Sequence, residues 1–206
     1  MKKIILALIC IFLLCGCSIV RIDTSNIDNI INVILSKDNK LYNQVGQGYK
    51  YYLPGGVTYI ESDDLNDILY CNGVYYYLNI DVIDYYYNKS VDYKENNNLY
   101  YSKLIDKKDG YKYSGYLEIE LVDSKYRVEF SYNHAKIEAV VDKNELNNVI
   151  LNSSYILSTI KYNPNIIKLM LDGDYFKNKT GKYNDYNSKT NEEKFKLEKE
   201  VTMKER

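Results

Sequence analysis

The chain has no tryptophan, a single histidine, two prolines, four phenylalanines and four cysteines among its 206 residues. Each shortage excludes something. With so little proline and only 10 glycines it is neither collagen-like nor a linker, and a hydrophobic content of 46% sets it apart from disordered chains. After the first twenty residues no long apolar run recurs, so the sequence does not read as a multi-span membrane protein. Its length suits one domain. No phosphate loop, dinucleotide fingerprint, zinc signature or Gly-x-Ser-x-Gly elbow is present, which leaves common cofactor and hydrolase chemistries without their usual scaffold.

What is present begins with the leader. Lys2 and Lys3 precede an unbroken apolar stretch over residues 4–15, which ends at Gly16 and Cys17. That stretch is shorter than the roughly 20 residues a helix needs to cross the hydrocarbon core, so it reads as the hydrophobic region of a signal peptide. Leu14-Cys15-Gly16-Cys17 resembles the lipobox of bacterial lipoproteins: Leu stands three before a Cys, and a small residue stands just before it. The resemblance covers the first 17 residues. It implies a diacylglycerol on the Cys17 sulfur, cleavage before that residue, and a lipid anchor that holds the remainder on the outer face of a membrane. In composition the rest of the chain is similar to small lipoproteins of bacteria with AT-rich genomes, where Tyr, Asn, Lys and Ile rise together.

Removing the leader changes the counts. With Lys2 and Lys3 gone, 25 basic groups face 28 acidic ones, a net charge of −3. A slightly acidic domain has no electrostatic reason to bind nucleic acid. Cys10 and Cys15 depart with the leader and Cys17 carries lipid, so Cys71 is alone and can form neither an internal disulfide nor a cysteine-based zinc site.

The mature chain divides into residues 17–22, a lipidated Cys and short linker, residues 23–171, a single domain, and residues 172–206, a polar charged tail that reads as flexible. Ile27, Ile30, Ile31 and Ile34 fall at helical spacing, with Ser25 and Asp28 as a capping box. From Gly48 the period becomes two. Extended runs at Tyr49–Leu53 and Val57–Glu61 flank a Pro54-Gly55-Gly56 turn. Asn72-Gly73 is a strong hairpin signal, and it sets Cys71 opposite Val74 and Leu69 opposite Tyr76 in an apolar row continuing to Val82.

Residues 84–98 show no period and read as a loop or one irregular helical turn, and Leu99–Ile105 resumes as a strand before a turn at Lys107-Lys108-Asp109-Gly110. Tyr116–Val122, Tyr126–Tyr132 and Ala135–Val141 alternate as an antiparallel meander, with Leu117, Ile119 and Leu121 on the apolar side of the first. Asp142 to Glu145 reads as a second capping box for a helix through Ile160, closed by Asn163-Pro164, and a short apolar segment at Ile166–Leu171 completes the core. The class expected is α+β: an antiparallel sheet of about five to seven strands with an N-terminal and a C-terminal amphipathic helix on one face. The coarse outline resembles secretion-chaperone-like and PsbP-like folds, with no motif of either.

Candidate chemistry is sparse. His134 sits between two strands and reads as an exposed turn residue. Cys71 faces apolar neighbours, so its thiol should be inert. Asp63, Asp64, Asn66 and Asp67 crowd one loop but lack the glycine and distal glutamate of a calcium loop, so turn roles are expected and no metal or cofactor is assigned. Glu118 and Glu120 share the wet face of one strand, a weak hydrolase pair. The 25 tyrosines invite a binding reading, since phenol rings offer rigid amphipathic contact area, and Tyr75, Tyr77 and Tyr116 are the candidate binding residues. The expectation is a membrane-anchored extracytoplasmic lipoprotein acting as a binding module, with an envelope protein or glycan as partner. A cell-envelope hydrolase using surface carboxylates and a structural envelope component are the alternatives.

Overall fold

A computed structural model describes residues 23–106 and 113–173. The leader, Cys17, the 107–110 turn and the tail beyond Gly173 lie outside the described residues. The chain forms helix α1 (Ile27–Leu35) and the short strands β1 (Gln44–Val45) and β2 (Tyr49–Tyr51). Three longer strands follow, β3 (Thr58–Asp63), β4 (Asn66–Cys71) and β5 (Val74–Ile80), and then helix α2 (Val82–Tyr86). The meander comprises β6 (Tyr101–Asp106), β7 (Ser114–Val122), β8 (Lys125–Tyr132) and β9 (Ala135–Val141). Helix α3 (Leu146–Thr159), strand β10 (Lys161–Tyr162) and helix α4 (Pro164–Asp172) complete the order. This is an α+β architecture with a seven-stranded antiparallel sheet, β3-β4-β5-β9-β8-β7-β6, and a three-stranded sheet, β1-β2-β10.

Three tight turns set the register of the large sheet. Asn72 and Gly73 both take positive φ, 50° and 83°, and the β4–β5 pairing is the expected one, Cys71 opposite Val74 and Leu69 opposite Tyr76. Asp123-Ser124 and Asn133-His134 make the same kind of turn, each with positive φ at both positions. Gly115 sits where two strands come unusually close: a Cβ there would lie 2.0 Å from the Ser131 carbonyl oxygen.

The pleat sends Leu69, Leu78, Leu117, Ile119, Val128, Phe130 and Ile137 to one face, each at 0% exposure. They belong to a single core with Ile30 and Ile34 of α1 and with Val149, Ile150, Ile156 and Leu157 of α3. At roughly 1.5–3 kcal/mol for each fully buried large aliphatic, this face supplies much of the driving force for folding. Helix α3 touches β8, β9 and β2, and α1 touches α3. Among the described residues no helix is long and apolar enough to cross a membrane.

Several local expectations shift. Asn26, not Ser25, caps α1 by accepting from the Asn29 amide at 3.1 Å, while Ser25 donates to Asp23. Pro54-Gly55-Gly56 does turn, closed by the Val57 amide on the Pro54 carbonyl, but the strands on either side enter different sheets. Strand β5 stops at Ile80 because Asp81 accepts from the Asp84 amide and starts α2. Leu121 is 55% exposed at the far end of β7, outside the apolar cover expected for it. The Asp142–Glu145 box does not form: Glu145 makes no side-chain cap, and backbone bonds from Glu145 and Leu146 to Asp142 and Lys143 serve the helix entry instead. Helix α3 ends at Thr159 so that Lys161-Tyr162 can pair with Tyr49-Lys50. Asn163-Pro164 therefore begins α4 rather than ending α3.

Candidate functional site on the polar face of the sheet

The second face of the seven-stranded sheet stays outside the core, and strand order decides what it presents. One rung runs Asn79, Lys136, Ser131, Tyr116 across β5, β9, β8 and β7; the next runs Tyr77, Glu138, Glu129, Glu118, Ser102. Three glutamates thus stand directly opposite one another on adjacent strands, an arrangement that costs energy unless each is compensated. Lys136 Nζ lies 2.6 Å from Glu138 and 3.9 Å from Glu129, the Tyr116 hydroxyl donates to Glu129, and the Tyr93 hydroxyl donates to Glu118 at 2.8 Å. Burial nevertheless raises the Glu138 carboxyl above its ordinary value, although Lys136 pulls it the other way.

The segment after α2 returns over this face. The Tyr93 ring stacks flat on Tyr116, with centroids 4.3 Å apart and planes 2° from parallel, and its hydroxyl also meets Ser102 at 2.6 Å. The Asn96 amide donates to Ser102, and the Leu104 amide on the outer edge of β6 donates to Glu95. Burial pushes the Tyr93 phenol up to about 12 and drives Tyr116, already bonded to Glu129, higher still.

Beside this cover lies a cavity of about 290 Å³. Asn79, Lys136, Ser131 and Tyr116 line it from the sheet, His134 from the β8–β9 turn, and Asp81, Asp84, Lys89 and Asp92 from α2 and the segment after it. Lys89 is paired with Asp84 at 2.6 Å. Burial raises the Asp81 carboxyl, against the bond it accepts from the Asp84 amide. His134 is half-buried, edge-on to Tyr85 and Tyr162, and burial lowers its imidazole below the usual value. The exposed turn histidine of the sequence reading is therefore a packed one. The Asn79 side-chain nitrogen is sealed from solvent and has no hydrogen-bond partner.

The residues singled out from sequence fare differently. Tyr75 is exposed at 44% and packs on Tyr70, Tyr77 is half-buried, and Tyr116 is covered by Tyr93. All three share the polar face, but Tyr116 stands three strands from Tyr77, roughly 14 Å away at ordinary strand spacing, so they do not form one site. Cys71 is buried, and its thiol is raised by burial first and by Glu145 second. It lies at the hairpin end of β4, whereas His134 is at the other end of β5, so the two make no pair. Glu118 is held by Tyr93 and Glu120 is ion-paired with Arg127, so they do not converge on a common point. Ser131, His134 and Asp84 line one cavity, yet no hydrogen bond links Ser131 to His134.

Asp63, Asp64, Asn66 and Asp67 do not share one loop. Asp64 takes φ 59° in the turn, and Asn66 and Asp67 begin β4. Asp67 points into the core at 4% exposure, where it accepts from the hydroxyls of Tyr49 (3.1 Å) and Tyr51 (2.7 Å). Among the described residues no group of three or more His, Cys, Asp or Glu is placed to hold a metal ion. Asn79, Asp81, Ser131 and Lys136 are not among the candidate site residues of the sequence reading. Alternation puts each on a polar face, but only the pairing of β5 with β9, and of β9 with β8, sets them side by side.

No protein-family model, no curated protein and no solved structure matches the chain.

Proposed function

We propose that this chain is a lipid-anchored extracytoplasmic binding protein. Cys17 carries the diacylglycerol, the leader is removed before it, and the domain from Asp23 onward engages an envelope protein or glycan through the polar face of its large sheet. In this reading α1 and α3 together form the layer over the apolar face, which leaves the opposite face available. The observation that carries the proposal is that this face, outside the core, holds exposed Tyr75, half-buried Tyr70 and Tyr77, and a cavity ringed by hydrogen-bonding groups. Amphipathic rings beside polar groups suit recognition more than reaction. The rival, a hydrolase using carboxylates, would draw on the Glu118, Glu129 and Glu138 rung, whose members are each engaged by Tyr93, Tyr116 or Lys136.

Two measurements test the proposal. Cells fed a clickable palmitate should label the wild-type protein and not Cys17→Ala; a label that survives the substitution refutes the anchor. A photo-crosslinker at position 75 should give a defined envelope adduct, whereas the same group at Leu121 should not. Identical patterns from both positions would refute the face.

A further inference from the structure

The end of the molecule built by the small sheet and α4 has a surface of its own. Seven large aliphatic side chains are exposed among the described residues, and four of them are here: Leu41, Val45, Ile166 and Leu169. Val45, at 74%, and Leu169, at 72%, are the most exposed of the large hydrophobic residues described. Val45 on β1 and Ile166 on α4 line one groove of about 310 Å³, and Leu169, three residues after Ile166, lies on the same face of the helix. Tyr42 joins them, because the Lys50 Nζ sits 3.8 Å from its ring centroid and Lys50 stands opposite Val45 in the pairing of β1 with β2.

Charge separates in the same place. Residues 36–53 and 160–171 hold five lysines, Lys37, Lys40, Lys50, Lys161 and Lys168, and one acid, Asp38, in a chain with 27 basic and 28 acidic residues. Asp38 lies 3.5 Å from Lys161 and 4.0 Å from Lys40, so one carboxylate serves two ammonium groups. Asp84, on the helix α2 that packs against α4, is paired with Lys89. Among the described residues Lys37, Lys50 and Lys168 make no ion pair. Exposed aliphatic side chains flanked by lysines and a phenol suit a lipid headgroup layer, where the apolar groups enter the acyl boundary and the ammonium groups stay at the phosphates.

The inference rests on the lipid-anchor reading above, which supplies the bilayer. Cys17 stands six residues before Asp23, a span of at most about 20 Å. Helix α1, nine residues and about 13 Å long, then leads toward Lys37 at the rim of the patch. Anchor and patch can therefore reach the same membrane, and the short tether keeps the lipid at high effective concentration.

We propose that the end of the domain formed by the small sheet and α4 docks on an anionic lipid bilayer, with Val45, Ile166 and Leu169 in the headgroup region and Lys50 and Lys168 against lipid phosphates. The Tyr162 hydroxyl donates to the carbonyls of Asn133 and His134, which fixes the small sheet at the β8–β9 turn. Tyr75 lies at the other end of β5 from that turn, five residues or about 17 Å from Ile80, so this pose turns the Tyr75 end of the sheet away from the membrane.

The test uses the full chain, purified from membranes and returned to vesicles of phosphatidylcholine alone or with phosphatidylglycerol, with brominated acyl chains as quencher. A fluorescent amino acid at position 45 or 169 should be quenched in the anionic vesicles, and the same group at position 75 or 121 should not. Lys50→Gln and Lys168→Gln should each lower the docked-to-undocked ratio about fivefold, with unchanged circular dichroism. Equal quenching at all four positions overturns the proposal, as does none at 45 and 169, equal quenching without phosphatidylglycerol, or indifference to both substitutions. Shielding of positions 45 and 169 already present in micelles would show that residues 174–206 cover the patch, and shielding that follows protein density would show a second copy there; either overturns it. Palmitate labelling is read separately. A labelled protein without position-dependent quenching removes the docking and leaves the anchor standing, and an unlabelled protein with such quenching does the reverse.

Discussion

Asp67 shows how a side chain's role can be hidden in its residue type. A carboxyl group at 4% exposure on β4 serves two phenols from β2, and so ties the small sheet to the large one. The Tyr49 and Tyr51 rings lie nearly parallel, 14° apart, with both hydroxyls aimed at the same Asp67 oxygen. Burial first, and then Asp67, push the Tyr51 phenol far above its ordinary value. Removing Asp67 should strand both hydroxyls. Asp67→Ala is expected to cost about 3–5 kcal/mol in urea unfolding, because a cavity adds to two unpaired donors, whereas Tyr51→Phe should cost about 1–3 kcal/mol. An Asp67→Ala protein within about 0.5 kcal/mol of wild type would refute this account. An acidic residue beside Asp63 and Asp64 reads as loop, and only the inward pleat of β4 places it under the tyrosines.

At the scale of elements, the legible features were those whose signal and cause are both local. The Asn-Gly turn needs two positive φ values, and Asn72 and Gly73 supply them whatever surrounds the hairpin. Caps were less legible, because several polar residues compete for the same orphan amides. Ser25 was drawn to Asp23 and Asn26 took the cap, and at Glu145 a backbone turn made the side chain unnecessary. Asn163-Pro164 carries the punctuation of a boundary but not its direction, since proline both ends a preceding helix and suits the first turn of the next. Here the Asn163 side chain accepts from the amides of Asn165 and Ile166, with Pro164 in the first turn of α4. Asn163→Ala should therefore destabilise by about 1 kcal/mol and lower Tm by about 2–4 °C in thermal unfolding. An unchanged Tm would show that α4, packed through Ile167 and Met170, does not depend on its cap.

For the whole molecule, tyrosine replaces the aromatics the chain lacks. Tyr49, Tyr51, Tyr76, Tyr126 and Tyr132 are core residues, so five of the 25 tyrosines fill the interior rather than a binding surface. Interior phenols carry a pH consequence. Burial raises Tyr76 and Tyr132 to about 12, and raises Tyr51, Tyr101 and Tyr116 beyond that. The folded state therefore keeps protons that the unfolded chain releases near pH 10. The stability these groups provide is complete below about pH 10 and is lost as pH rises through the folded values. Absorbance titration of tyrosinate should show these buried phenols ionising in a cooperative step that coincides with loss of circular dichroism. A single reversible curve for all phenols would contradict the packing.

The amino-acid order alone determined the class of fold, the meander, the register of the Asn72-Gly73 hairpin, the buried position of Cys71 and the lipobox resemblance, because each depends on residues near one another in the chain. Periodicity reports which face of its own strand a residue occupies. It does not report the neighbour across the sheet, which is chosen by long-range pairing and by closing one core. Tertiary structure therefore decided the parting of the two sheets at Pro54, the burial of Asp67, the cover of Tyr93 over Tyr116, and the meeting of Asn79, Lys136 and Ser131 along one rung.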